Sequence, residues 1–507
     1  MTCTFSYSKP PHAGPPGVGS KHSPVDKQKN GLKRPDVQSL YHQLETTAPR
    51  DSAASATPPL VSSEGIWLPP ANLVEPTKTR TQVLIIGAGI AGLAAARTLI
   101  NSDYDVRVLE ARDRIGGRIW SSNALGVPVD VGAAWGTGTR EHPVLGAAKQ
   151  HGQSNDLPSI VYDQDGRRLT DAELQSLADL RQDFLAYVKQ CQQRPGDSSF
   201  LDAEADFADI RKLTALQRSG LRYVNRTFIE HEWAGSLEES SLAEYDQAFH
   251  GLRDGHSGGR DQERLLAELA KDIPIQKQCE VSRIDYTKTD VDVWTTTGIF
   301  SAPYVLITMP LGVLKSEKVL FRPALPQSKR TAIAGLRMGV FNKVFVRFDR
   351  VFWDTDCDRI GLLSNSVWDW PEIIPLQDRV GEPVLMAFSA GRTALCNEAM
   401  ASEDVVDSLM SSLRKMYGSE IPNPISHTVS RWHADPHSLG SYSFVPTGSV
   451  NTLRAALAAP VAGRLFFAGE ATSQPFPSTV HGAYLSGVRA AFEIRSRKIA
   501  PQTSMIS

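Results

Sequence analysis

Residues 83–92 read Val-Leu-Ile-Ile-Gly-Ala-Gly-Ile-Ala-Gly, an apolar run that breaks into three glycines at GxGxxG spacing. Four consecutive apolar residues suit a parallel strand covered on both faces. The Ala-rich stretch from Leu93 to Ile100 reads as helix, and Val106 to Leu109 as a second strand ending at Glu110. Together they predict a βαβ unit of about thirty residues. Within it Gly87 permits the tight turn, Gly89 lets backbone approach a pyrophosphate, and Gly92 lets the helix pack closely on the strand. Ile90 and Ala91 open the helix, whose N–H groups and positive dipole end suit phosphate oxygens. Glu110 stands 18 residues past Gly92. A carboxylate there can accept hydrogen bonds from both ribose hydroxyls of an adenosine, and it repels a 2′-phosphate, which disfavours NADP.

The rest of the chain limits what surrounds this unit. Its 507 residues correspond to roughly three domain-sized units. Residues 1–79 are expected to form a Pro-rich, disordered leader, since the first 80 residues hold 12 of the 32 prolines. With 54 Lys and Arg against 56 Asp and Glu, the formal charge of −2 argues against a nucleic-acid or anionic-membrane coat. No apolar run approaches the ~18 residues of a membrane span, and residues 1–20 lack a secretory h-region. The five cysteines, Cys3, Cys191, Cys279, Cys357 and Cys396, form no CxxC pair, which fits a reduced, cytoplasmic setting. Helical spacing is expected over 170–192, 212–230 and 403–417, the last with Ser402 as N-cap, and in a final helix from His481 to Ser496. Strands are expected within 279–308, at 340–348 and 383–389, and from Gly463 to Phe467. His231, His250 and His256 have no metal-ligand spacing, so no metal is expected.

Glu110-Ala111-Arg112-Asp113-Arg114-Ile115-Gly116-Gly117-Arg118 sets two glycines between cations. Arg118 offers a planar fork of donors to a pyrophosphate. The stretch resembles the RxGGR sequence that follows the Rossmann unit in flavoproteins of the amine oxidase type, which implies FAD rather than NAD. Further segments carry the likeness: Val129-Asp130-Val131-Gly132-Ala133-Ala134-Trp135, Met309 to Lys315, Asn342-Lys343-Val344, Phe348 to Asp354, Arg431-Trp432, Gly440 to Ser443, Phe467 to Thr472, and Thr479 to Ala483. From residue 80 to about 497 the chain resembles the flavin-dependent amine oxidases. MPLGVLK and FDRVFWD look most like polyamine oxidases and lysine-specific histone demethylases.

The resemblance implies an α/β fold with a discontinuous Rossmann-type FAD-binding domain (80–140, 262–320 and 440–497). A substrate domain (141–261 and 321–439) would carry a mixed sheet flanked by helices. It implies that Gly132, Ala133, Ala134 and Trp135 run beside the isoalloxazine and that Val281 joins the cofactor set. Gly469 and Glu470 would begin the closing FAD segment, and Thr479 and Val480 would lead a helix whose amides face the flavin. Lys343 would reach flavin N5 through a water, with Trp432 and Tyr442 lining the flavin pocket. Period two puts Lys343 on one face with Phe341 and Phe345, where desolvation should lower its pKa.

Departures from the family pattern narrow the substrate. The chain lacks room for the demethylases' helical hairpin. Arg140 lies too far past Trp135 to serve as the carboxylate-binding arginine of L-amino-acid oxidases. Gly136 and Thr137 supply neither the Glu nor the His that several polyamine oxidases use. The segment Gly469–Gly482 contains no Cys, so FAD should be held non-covalently. Ser478-Thr479 stands in place of a second cage tyrosine, leaving Tyr442 as one wall and an opening suited to a long chain. The acidic residues Glu230, Glu232, Glu238, Glu239, Glu244 and Asp246 can steer a polycation. The reaction implied is amine, O2 and water to carbonyl, ammonia or a shorter amine, and hydrogen peroxide. The implied partners are a small-molecule amine and O2, with no nucleic acid. Histone-lysine demethylase, L-amino-acid oxidase and a non-enzymatic FAD-stabilised binding protein stay open as alternatives.

Overall fold

A computed structural model of the chain describes residues 78–134, 157–245, 259–364, 366 and 368–497. A five-stranded parallel sheet is its base. Across it lie Leu465–Phe467, Tyr304–Ile307, Val83–Ile86, Val106–Leu109 and Ile275–Gln276. The alternation along Val83–Ile86 assigns its faces. Val83 and Ile85 pack under the helices Ile90–Ile100 and Val480–Arg495, while Leu84 and Ile86 face a second sheet. Both faces are therefore covered, which is why the strand reads as unbroken apolar sequence.

The second sheet has the order Lys78–Arg80, Gly298–Ala302, Val291–Thr295, Val281–Asp285 and Leu320–Arg322. Its inner pairs are antiparallel and its outer pairs parallel. The third sheet has six strands, ordered Ser426–Val429, Phe341–Arg347, Val384–Ala390, Glu372–Pro375, Ile360–Leu362 and Ile160–Tyr162. Only the last pairing is parallel among those described. Val344 and Val346 point to the helix Ser402–Tyr417, and Phe345 points the other way, onto Val129 and Val131. The α/β architecture and the mixed sheet flanked by helices are those expected from the sequence.

Local outcomes differ in instructive ways. The helix Ser402–Tyr417 is capped by Ala401 rather than Ser402, because the Ser402 hydroxyl lies inside the first turn and accepts from Arg431. The stretch 212–230 is not one regular helix: Ala215–Asn225 passes into a π-turn, Arg226–Glu230, and then His231–Trp233. The positive φ of Ala234 (55°) ends this segment. Such π-turns concentrate at functional sites. A two-stranded ribbon, Arg337–Met338 with Ser443–Phe444, brings Tyr442 beside the strand that carries Lys343. Among the described residues no helix is long and apolar enough to cross a membrane.

Candidate active site

One cavity of about 330 Å³ runs from the glycine turn to an aromatic wall on the third sheet. At the turn, Gly87 has φ of +106°, and a Cβ there would come 2.5 Å from Thr308 Oγ1. A Cβ on Gly92 would lie 2.0 Å from the Gly87 carbonyl oxygen, so helix and turn are in contact. A Cβ on Gly89 would meet nothing within 4 Å; that side opens to the cavity. The helix Ile90–Ile100 has no side-chain cap and no acidic residue in its first turn, leaving its N-terminus to attract an anion. Glu110 is buried at the strand end; its Oε2 accepts from Ala88 N (2.8 Å) and its Oε1 from Arg112 N (2.9 Å). The carboxylate thus ties the turn to the second strand while lining the cavity. This glycine cradle fits a dinucleotide pyrophosphate next to an adenosine ribose.

The cations after Glu110 are engaged by carboxylates of the protein itself. Arg112 donates to both Asp435 oxygens at 2.8 Å and to Ser438 Oγ at 2.9 Å. Burial works to raise the Asp435 carboxyl, but Arg112 outweighs it and holds the group below the usual carboxylate range. Arg118 donates to Glu470 Oε1 (2.9 Å) and to the Ser441 carbonyl (2.8 Å). Glu470 accepts further from Ser443 Oγ (2.6 Å) and Ser478 N (3.2 Å). Burial opposes its charge, yet Arg118 and Arg454 hold it low as well. Arg112, Arg118 and Glu470 all line the cavity. Their carboxylate–guanidinium pairs bind the Rossmann loop to segments more than 300 residues away in sequence.

At the far end Lys343, Trp432 and Tyr442 come together on the cavity wall. Lys343 is buried, and its Nζ donates to the carbonyls of Asp130 (2.8 Å) and Gly132 (2.5 Å). Burial lowers its pKa to about 7, with Asp130 opposing. Trp432 donates from Nε1 to the Val131 carbonyl (3.1 Å) and meets Trp120 edge-on, centroids 6.3 Å apart. Tyr442 donates to the His231 carbonyl at 2.5 Å. Phe341 and Phe388 complete an aromatic group, 5.1 Å between centroids.

The same wall holds residues the sequence left without a site role. Glu372, Phe388 and His231 line the cavity. His231 Nδ1 is 3.0 Å from Glu372 Oε2, and both side chains are 3% exposed. No spacing rule reaches them, since 141 positions separate the pair. The π-turn that aims His231 has no clear sequence signal either. The acidic stretch from Glu230 is also more than a solvated face. Glu232 lines the cavity, and burial raises the Glu230 carboxyl to about 7 against the opposing charge of Arg226.

Of the remaining expected positions, Ala111, Gly117, Ala133, Ala134, Val281, Gly469, Thr479 and Val480 border the cavity together with Ile90 and Ala91. Thr479 caps the last helix, its hydroxyl accepting from Gly482 N at 3.0 Å. Gly92 stands behind the turn rather than on the cavity surface. Trp135, Gly136, Thr137, Arg140, Asp246, His250 and His256 lie outside the described residues, as do residues 1–77 of the expected 1–79 leader; its last two residues, Lys78 and Thr79, are instead ordered in the edge strand Lys78–Arg80, paired with Ile299 and Phe300. Among the described residues no cluster of His, Cys, Asp and Glu is arranged to hold a metal.

Comparison with known proteins agrees with this geometry. The profile of the family described as flavin containing amine oxidoreductase matches residues 90–495. Polyamine oxidase 4 of Oryza sativa subsp. japonica is 34% identical over 442 residues, covering 82% of this chain and 88% of that protein. Polyamine oxidase 2 of Arabidopsis thaliana is 33% identical over 451 residues, covering 83% and 90%. Lysine-specific histone demethylase 1 homolog 2 of Arabidopsis thaliana is 33% identical over 451 residues, and this chain spans 58% of its length. A solved putrescine oxidase bound to putrescine has the same fold, with a TM-score of 0.68 at 19% identity over 83% of this chain and all of that one. With a glycine cradle at one end of its cavity and a buried lysine among aromatic rings at the other, the chain belongs to the flavin-containing amine oxidoreductases and is an FAD-dependent enzyme of that family.

Proposed function

We propose that the protein oxidises a C–N bond of a long di- or polyamine and uses O2 as acceptor, releasing hydrogen peroxide. The observation that carries this reading is the composition of the cavity's far end. Phe341, Phe388 and Tyr442 form an apolar wall, and two carboxylates stand on the same surface, Glu232 and Glu372, the latter already engaged by Arg359 and His231. An aromatic wall suits a methylene chain, and carboxylates suit its ammonium groups. Ser478 and Thr479 border the cavity as small side chains, which leaves length for an extended substrate. The polyamine oxidases among its relatives support the same direction.

Bound FAD supplies the hydride acceptor. The protein's own residues do the rest. The turn from Gly87 to Gly92 and the N-terminus of the Ile90–Ile100 helix would hold the cofactor's pyrophosphate, and Glu110 would meet its ribose. The rings around Lys343 exclude water and orient the C–H bond. Lys343 holds or gives up a proton at Nζ near neutrality, because burial has brought its pKa to about 7. Gly469 to Gly482 offers no thiol to the cofactor, so no thioether forms there and the flavin would be held non-covalently.

A peroxide assay over spermine, spermidine, acetylated polyamines, benzylamine, L-amino acids and a methylated-lysine peptide tests the proposal. The expected order puts spermine or spermidine first. Benzylamine or an L-amino acid giving the highest kcat/KM would overturn the substrate class. Oxidation confined to the methylated peptide would transfer the enzyme to the demethylases.

A further inference from the structure

We propose that Asn342 is a positioning residue of the oxidation: its carboxamide fixes Trp432 beside Lys343, so that the two side chains together shape segment 130–132 on the cavity wall. Asn342 is itself buried and does not border the cavity. The rates that test the proposal rest on the amine-oxidising reading above.

Three consecutive carbonyls of that segment are taken by the site's own side chains. Lys343 Nζ holds those of Asp130 and Gly132, and Trp432 Nε1 holds that of Val131 between them. The Asp130 and Gly132 oxygens both lie within 2.8 Å of one nitrogen. That is too close for an extended chain, whose two-residue repeat is about 6.6 Å. The backbone therefore bends around Nζ and gives the Val131 carbonyl to the indole. Val131, Gly132, Lys343 and Trp432 all line the cavity. A shift of either side chain moves the same stretch of backbone.

Asn342 keeps the two in register. The edge strand Ser426–Val429 pairs with Phe341–Arg347 as far as Val429 opposite Val344. Beyond that rung side chains carry the ladder on. Ser430 N donates to the Lys343 carbonyl (2.9 Å), but the Lys343 N–H goes to Ser430 Oγ (2.8 Å). Asn342 Oδ1 then accepts from Ser430 Oγ (3.2 Å) and from Trp432 N (3.1 Å). Its Nδ2 donates to Glu398 Oε1 at 2.6 Å. Donors on one side and a carboxylate on the other leave the amide a single orientation.

Glu398 extends the clamp. It accepts from His433 N (2.9 Å) and Ala434 N (2.7 Å), the two residues after Trp432. It also closes the helix Gly391–Glu398, an end where the dipole disfavours an anion. Arg431 Nη1 offsets this by donating to the Glu398 carbonyl at 2.6 Å. A carboxylate kept at the unfavourable end of a helix is explained by what it clamps. Without the carboxamide, Trp432 N and Ser430 Oγ lose a buried acceptor. The backbone at Trp432 must then move to find another partner, and the indole leaves the Val131 carbonyl. A displacement of about 1 Å in a reaction site costs on the order of 10²-fold in rate.

The test uses the FAD-loaded full chain. Asn342→Leu keeps the volume of the side chain and removes its polar end. Its kcat for the best amine should fall on the order of 10²-fold, with KM changed by less than about threefold because the aromatic wall is untouched. The Kd of the apoprotein for FAD should stay within about threefold of the parent, since the glycine cradle is also untouched. Trp432→Phe already lacks the link to Val131, so in that background Asn342→Leu should cost about tenfold less. Asn342→Asp keeps Oδ1 but sets a second carboxylate against Glu398. Relative to the parent at the same pH, its rate should recover by about tenfold from pH 8 to pH 6, as the carboxylate pair takes up a proton. Asn342→Asp with Glu398→Gln restores a donor to the pair and should return the rate towards the parent at pH 8. The visible circular dichroism of bound FAD needs no turnover. It should change in Asn342→Asp and return in the double variant.

Equal losses from Asn342→Leu in the two backgrounds would overturn the proposal, as would an FAD Kd that rises in step with the loss of kcat. So would an Asn342→Asp protein whose rate and dichroism Glu398→Gln leaves unrepaired. If Asn342→Leu does not fold, Asn342→Asp and its double variant decide the matter. Dichroism lost and restored as expected, without peroxide from any amine, would support Asn342 and count against the oxidase reading.

Discussion

Lys343→Met should alter how stability depends on pH, by an amount the burial of the lysine fixes. In the unfolded chain the amine keeps its proton to about pH 10.5; in the folded protein it gives it up near 7. Between those values the unfolded state binds more protons, so stability rises with pH. The contribution is unfavourable below pH 7 and fades as the pH approaches 10.5. At about 1.4 kcal/mol per unit, little of it realised right at pH 7, the gain from pH 7 to 9 is on the order of 2 kcal/mol. Methionine fills a similar volume and carries no such dependence. It also removes the donor that serves the carbonyls of Asp130 and Gly132, a cost of about 1–3 kcal/mol for each group left unsatisfied. That cost does not vary with pH. The sign of the stability difference at pH 7 is thus a balance of two terms, but its slope is not. The parent should gain on the variant by about 2 kcal/mol between pH 7 and 9. Urea midpoints at both pH values, with FAD in the same excess throughout because ligand binding itself stabilises, give the measurement. A difference that stays constant across this interval would refute the reasoning.

Other outcomes follow from the cradle and its ties. Gly89→Ala should fold, since its φ of −73° suits any residue, but should lose FAD because the new methyl points into the open side of the turn. Gly92→Ala should lose soluble protein instead, its methyl meeting the Gly87 carbonyl; a yellow, stable Gly92→Ala would contradict the packing. Acid precipitation should leave the yellow colour in the supernatant, and a coloured pellet would mean a covalent link. Arg112→Lys cannot reproduce the two-pronged contact with Asp435. It should weaken FAD retention, measured as flavin released on gel filtration, more than the oxidation of amines by the retained holoenzyme.

The dinucleotide end was legible because its requirements are local. Turn, helix start and acidic strand end fall within thirty residues, and each glycine's role can be read from its neighbours. Lys343 was legible through the alternation Phe341, Lys343, Phe345, which puts an amine among rings. His231 and Glu372 were not, because their meeting is fixed by a π-turn and by strand order in the third sheet, neither of which leaves a periodic trace. Arg118 was read as a pyrophosphate partner from its donor fork and the RxGGR resemblance, and Arg112 as a cation of the same cofactor segment. Their aspartate and glutamate counterparts lie hundreds of positions downstream, where pattern reading has no purchase.

The strand order of the parallel sheet also sets a schedule for the ribosome. Val83–Ile86 emerges long before its neighbour Tyr304–Ile307, and Leu465–Phe467 arrives last. At about 5–20 residues per second, the first strand waits on the order of ten to forty seconds for a partner on that side. Arg118 must wait longer still for Glu470, 352 positions away. The Arg118–Glu470 tie beside the glycine turn is therefore complete only when synthesis is almost finished. Through that interval the apolar strand Val83–Ile86 has its neighbour Val106–Leu109 on one edge and lacks Tyr304–Ile307 on the other, so chains truncated before Glu470 should hold flavin weakly.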